Sequence, residues 1–182
     1  MLRRRLGASV IALFTGTCAL FAAAGQAASD GCAGSSAIPN DAAGRVQATR
    51  TVICLVNHER TDRGLRAVRL SGQLSTAARA HSNDMVARAY FAHDAPGGDT
   101  LAARLQRSGY AASHPGFDVG EALAWGRQAS PGALVTALMR SATHRHILLY
   151  PRGRDLGIGL TLGAPAGGVT GPSSTLVVEV GA

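Results

Sequence analysis

Between residues 156 and 163 the chain alternates without a break: Leu156, Ile158, Leu160 and Leu162 stand against Gly157, Gly159, Thr161 and Gly163. A period of two belongs to a strand. Upstream of it apolar residues recur at helical spacing, so the chain changes period once and late. A Gly/Pro-rich stretch from Gly163 to Pro172 follows, and then the apolar run Leu176-Val177-Val178. Two strands around such a turn read as an antiparallel hairpin. Helices first and a hairpin last predict an α+β fold with helices packed on a small sheet.

The helical part divides into four segments. From Gly44, Ala48, Val52, Leu55 and Val56 mark an apolar side that stops at Gly64. A second helix opens near Ser71, with Leu74, Ala78, His81, Met85 and Ala89 as its inward stripe. Asp99 or Thr100 caps a short third helix carrying Leu101 and Leu105 and ending at Gly109. Ser130 as N-cap and Pro131 at the first helical position open the fourth, whose buried side is Leu134, Val135, Leu138 and Ala142. Gly116 to Gly126 is less regular and holds the sole tryptophan, Trp125.

The first residues speak to compartment rather than fold. Arg3, Arg4 and Arg5 precede an uncharged run from Leu6 to Gly25, which ends among small residues. That is the layout of a secretory signal peptide over residues 1–28; the alternative is an uncleaved N-terminal anchor. Residues 29–43 read as a flexible leader and 44–182 as one domain. Of a formal charge of +7, three positive charges belong to the signal segment. The mild remainder suits loose association with an anionic envelope and argues against specific nucleic acid binding. All 18 basic residues are arginine, which excludes Schiff-base and lysine-base chemistry. Cys32 and Cys54 remain after export, an even pair that an oxidising compartment turns into a disulfide. No transmembrane segment is expected once the signal is removed.

Easily recognised catalytic signatures are missing. His58-Glu59 opens like a zinc-protease HExxH, but Asp62 takes the place of the second histidine. There is no nucleophile elbow and no phosphate-binding glycine loop. What remains is a scattered set: His81, His93, Glu121, His144 and His146. His81, on the apolar stripe, reads more readily as a satisfied core histidine than as a ligand. The separations among the others are too long for a local metal motif.

Taken together, several segments resemble a known family. Leu55-Val56-Asn57-His58-Glu59-Arg60 with Gly64-Leu65 resembles the opening helix of bacterial CAP domains, and Ala80-His81-Ser82-Asn83-Asp84-Met85 their H-S-x-D-M helix. Phe91-Ala92-His93 is similar to F-S-H, Gly120-Glu121-Ala122-Leu123-Ala124-Trp125-Gly126 to G-E-N-x-A-x-G, and Leu138-Met139-Arg140-Ser141-Ala142-Thr143-His144-Arg145 to W-M-x-S-x-x-H-R. Leu156-Gly157-Ile158-Gly159 resembles the closing I-G-V-G strand. The likeness spans residues 52–181 in order, and points to the bacterial SCP-like branch of the CAP superfamily (cysteine-rich secretory proteins).

The resemblance implies a three-layer α–β–α sandwich with a small central antiparallel sheet and a groove lined by histidines and acids. Carried over by position, the groove residues are His93, Glu121, Ser141 and His144, with Ser141 where many eukaryotic relatives have a second glutamate. His93, Glu121 and His144 would form a metal site for zinc or another divalent ion. Ala122, Leu138 and Ile147 depart from the family's asparagine, tryptophan and asparagine. The leading expectation is a secreted or envelope-associated protein whose cleft takes a metal, a small ligand, a lipid or a cell-envelope component, more readily a binder than an enzyme. A hydrolase using a metal-activated water, or Glu121 as base with His144, is the first alternative. A purely structural or interaction domain is the second.

Overall fold

A computed structural model describes residues 31–182; the expected signal segment lies outside the described residues. We number its elements in chain order. The helices are α1 (Ala42–Thr61), α2 (Gly72–Arg88), α3 (Leu101–Arg107), α4 (Tyr110–Ser113), α5 (Pro131–Arg140) and α6 (Ala142–Leu148). The strands are β1 (Arg69–Leu70), β2 (Val119–Arg127), β3 (Asp155–Leu162) and β4 (Ser173–Gly181), ordered β1-β3-β4-β2 in one sheet.

The alternating segment is β3, and the expected hairpin forms: β3 pairs antiparallel with β4 from Asp155 opposite Gly181 to Leu162 opposite Ser174. The sheet is not antiparallel throughout, because the two-residue β1 runs parallel to β3. The irregular Gly116–Gly126 stretch supplies a full strand, β2, antiparallel to β4 along nine residue pairs. The charged Glu121 interrupts its apolar alternation, which hid it.

Period two assigns the two faces. Leu156, Ile158 and Leu160 of β3, with Leu176, Val178 and Val180 of β4, join a core with Val52, Leu55 and Val56 of α1 and Leu134, Val135 and Leu138 of α5. On the other face Gly157 and Gly159 meet α2. A Cβ on Gly157 would stand 2.5 Å from Leu74 Cβ, and one on Gly159 would press still closer on the Ala78 carbonyl. Glycine on alternate positions lets α2 lie against bare backbone. The result is the three-layer arrangement, with α2, α3 and α4 on one side and α1, α5 and α6 on the other.

Local signals act as read at Ser71, Thr100 and Ser130, whose side chains accept from Leu74, Ala103 and Ala133 amides. Two boundaries move. Helix α1 starts at Ala42 rather than Gly44, because the Asp41 carboxylate caps it by accepting from the Gly44 amide at 2.7 Å. The fourth segment is two helices: Ser141, extended at φ −80° and ψ 123°, ends α5 and caps α6. The segment before α1 is pinned by a Cys32–Cys54 disulfide with Cα atoms 5.8 Å apart, and by the Gly132 amide donating to Ser35 O. Among the described residues, no helix is long and apolar enough to cross a membrane.

Candidate functional site

Strand β2 is the sheet edge at which both helical layers present polar groups. Glu121, on β2, points to the α2 side and is 5% exposed. A carboxylate removed from water needs partners for its lone pairs. Its Oε1 accepts from His93 Nδ1 at 2.8 Å, and its Oε2 from Arg104 Nη2, also at 2.8 Å. Arg104, 2% exposed on α3, also donates to Asp99 O and His93 O. One guanidinium therefore holds the carboxylate and the loop that carries the histidine.

His93 leaves α2 by way of Ala89, whose left-handed backbone (φ 53°) ends the helix. With Nδ1–H donating to Glu121, Nε2 is the ring nitrogen left for another partner. The side chain is 58% exposed, so this nitrogen is within reach of solvent. His81 is 1% exposed; its Nε2 donates to Ala92 O at 2.9 Å and lies 3.9 Å from Glu121 Oε1. Burial, as the main cause, pushes its pKa down. It is the satisfied core histidine expected from its place on the stripe, and it also walls the carboxylate.

His144 belongs to the opposite layer. It sits on α6, its amide donating to Ser141 Oγ. Burial, and after it the neighbouring His93, push its pKa below the usual imidazole value. Ser141 and His144 line a shallow cleft of about 340 Å³ beside Phe91, Leu123, Trp125 and Leu138. The floor is apolar, and the serine and the imidazole form its polar border. His146, also on α6, instead lines a separate pocket with Asp118 and Tyr150.

The expected three-ligand metal shell does not fit this arrangement. Both Glu121 oxygens are engaged, and among the described residues no group of three or more His, Cys, Asp or Glu side chains is disposed to hold a metal ion. The first alternative to zinc chemistry, Glu121 as a general base, meets the same obstacle, since the carboxylate is buried under Arg104. His58 pairs with Asp62 at 2.8 Å, occupying the position of the missing second zinc-protease histidine.

Among the buried charged residues that were not singled out from the sequence, two stand beside Glu121. Arg104 lies on a short helix whose pattern says nothing of an ion pair. Glu179 ends the apolar run of β4 and stands opposite Glu121 in the ladder. It is fully buried, and neither of its oxygens has a hydrogen-bond partner. Burial, and then Glu121, push its pKa up to about 8, so it is largely neutral at pH 7. A single acid inside an apolar strand was the available signal.

A three-layer sandwich with an edge-strand glutamate bonded to a loop histidine defines a class, and the chain belongs to it: the model of the CAP, or cysteine-rich secretory protein, family matches residues 54–171. Among its relatives, the protein YkwD of Bacillus subtilis is 33% identical over 110 residues, which are 60% of this chain and 41% of YkwD. An extracellular SCP-domain protein of Bacillus anthracis superposes with a TM-score of 0.59 and 27% identity, covering 77% of this chain and 44% of that one. An outer surface protein of Borrelia burgdorferi gives a TM-score of 0.59 at 18% identity, over 74% of this chain and 92% of that one, a likeness of fold alone. The chain thus spans less than half the length of the two Bacillus proteins.

Proposed function

We propose that this CAP domain is exported and binds a small, largely apolar molecule in the cleft between Phe91, Trp125, Leu138 and His144, without a resident metal. The observation that carries the reading is the engagement of Glu121. Its oxygens are used to fix His93 and the loop, so the glutamate acts as a strut and leaves two imidazoles and Ser141 to address a ligand. His144 and Ser141 offer hydrogen-bonding groups at the border of an apolar floor, with the exposed His93 beside His144, the usual composition of a small-molecule site. Export is supported by the Arg3–Arg5 segment, by the Cys32–Cys54 bond and by the extracellular description of the Bacillus anthracis protein.

The cleft contains its own reporter, since Trp125 is the only tryptophan. Titration of the disulfide-bonded domain with a library of neutral aliphatic and aromatic amides should change Trp125 emission saturably. H144A should weaken the best of them about tenfold, the loss of a good hydrogen bond. No saturable member in the library would remove the binding reading. A hydrolytic reading draws support from one feature, the exposed His93 ring positioned by Glu121. Turnover of peptide or ester substrates that disappears in H93A would move the assignment there.

A further inference from the structure

Strand β2 ends the sheet and has β4 as its neighbour on one side only. The phase of that ladder tells which of its main-chain groups are in use. Just before the strand, Asp118 and Ala182 exchange both bonds, at 3.3 and 3.0 Å, and just after it the Gln128 amide donates to Pro172 O. Bonded pairs in an antiparallel ladder recur at every second residue, so the even positions of β2 serve β4. The odd positions, among them Leu123, Trp125 and Arg127, turn their N–H and C=O to the other side. Those groups meet no backbone or side-chain partner among the described residues.

This edge is open in space as well as unpaired. Exposure rises along it, from Leu123 at 5% through a half-buried Trp125 to an exposed Arg127. Leu123, Ala124 and Trp125 line the cleft of about 340 Å³ that holds Ser141 and His144. Phe91, from the loop after α2, forms one wall, and Ala137 and Leu138 of α5 form the other. Phe91 is 44% exposed, a large ring left outside the core. The Leu123 side chain lies in the core with Met85 and Val177, so the strand meets the cleft at that point through its main chain. Unpaired main-chain groups shielded from bulk water are costly. A ligand of hydrocarbon alone would seal them off unsatisfied, whereas one that repeats donor and acceptor along its length would satisfy them.

We propose that the ligand of this cleft is a short neutral peptide in extended conformation, bonded through its main chain to Trp125 and Arg127 of β2 and seated between Phe91 and Leu138. This assignment rests on the cleft being a ligand site and narrows the ligand to one chemical class. Outward groups two residues apart repeat about every 6.8 Å, so about four residues of ligand reach from Leu123 to Arg127. Side chains on one face of the added strand meet Phe91 and Trp125. Those on the other face meet Ala137 and the border of Ser141 and His144, where alanines leave room. No acid and no arginine lines the cleft, which selects uncharged side chains. A second copy of the chain is a poor occupant, because its own β2 is flanked by the same two walls and cannot enter between these.

The test titrates a capped tetrapeptide of alternating valine and alanine into the disulfide-bonded protein, with Trp125 emission as the readout. Hydrogen exchange in the free protein comes first: the Trp125 and Arg127 amides should exchange at least tenfold faster than those of Ala124 and Gly126, which β4 holds. The peptide should bind saturably and slow the first pair while leaving the second unchanged. Its ester analogue, with the same side chains and no internal N–H, should bind at least tenfold more weakly, the loss of two hydrogen bonds. A137F, at an exposed position on the wall, should block the peptide without lowering the melting temperature, and A137L serves if the larger ring disturbs folding. Slow exchange at Trp125 and Arg127 in the free protein, no protection there on binding, or equal affinity for the ester would each overturn the peptide assignment. Simple amides that bind while the peptide does not would overturn it and leave the cleft a small-molecule site; failure of both would remove the two readings together. A dimer that sedimentation detects and the peptide does not dissociate would assign the edge to a second copy and overturn the proposal.

Discussion

Arg104 illustrates how one residue can carry both fold and site. It is 2% exposed and donates to Glu121, Asp99 O and His93 O. Truncation to alanine strands a buried carboxylate, and removal of one partner from such a pair costs about 3–5 kcal/mol. R104A should therefore melt far below the wild type, and urea denaturation near neutral pH measures it; a loss under about 1 kcal/mol would contradict the buried ion pair. Glu179 gives a pH signature. Its folded pKa, about 8, lies above its ordinary 4.5, so the folded state holds the proton that the unfolded chain releases. The stability this confers is complete below about pH 4.5 and drains away as pH rises to about 8, by an amount of order 5 kcal/mol. E179Q, which cannot ionise, should flatten this decline, and parallel stability–pH curves for the two proteins would show that Glu179 is not the source. His144 has the opposite displacement. Its NMR titration midpoint should fall below about 6.5 and rise in H93A, because His93 is one of the groups that lower it. A midpoint at or above that of a free imidazole would contradict the packing of α6 described here.

Among the elements, the contact of α2 with β3 is the tightest constraint. A side chain at Gly159 would drive into the Ala78 backbone, which cannot withdraw without moving the helix. G159A should cost 3 kcal/mol or more, at the upper end of overpacking costs of roughly 1–3 kcal/mol, whereas G167A, with nothing within 4 Å, should shift stability by no more than about 0.5 kcal/mol. Thermal melts of the two variants make the comparison, and similar values would mean that helix and strand are not in the stated contact. The alternation in β3 made the strand legible from sequence, yet did not reveal what its glycines face. The helices were legible because their caps and apolar spacing are local. The break at Ser141 was not, since apolar residues continue through it and only the backbone turn at that serine divides α5 from α6. Strand β2 was obscured by the acid near its start, the residue through which it contributes to the site.

At the scale of the molecule, the class of fold, the layers and the Cys32–Cys54 bond could be anticipated from sequence. The closing of loops between distant segments could not. Nothing near Glu121 in sequence announces Arg104, and nothing in the spacing of His93 and His144 shows that they approach β2 from opposite layers; family resemblance supplied the grouping, and physical spacing alone did not. The disulfide ties a segment of turns to α1 across a separation of 22 residues. Its loss should reduce unfolding free energy by about 3 kcal/mol through the gain in chain entropy of the unfolded state, and C32S/C54S compared with the oxidised protein in denaturant measures this. Equal midpoints would mean that the segment before α1 is dispensable.

The sheet order has a further consequence, for timing. Strand β4 follows every other described element, yet it lies between β3 and β2, which have no ladder with each other. Until residues 173–181 have left the ribosome, β2 has no neighbour and the two helical layers have only β3 and the short β1 between them. Most long-range pairing therefore waits for a single late event. During synthesis the sheet of such a polypeptide stays incomplete, and it closes only when β4 has emerged to join its two halves.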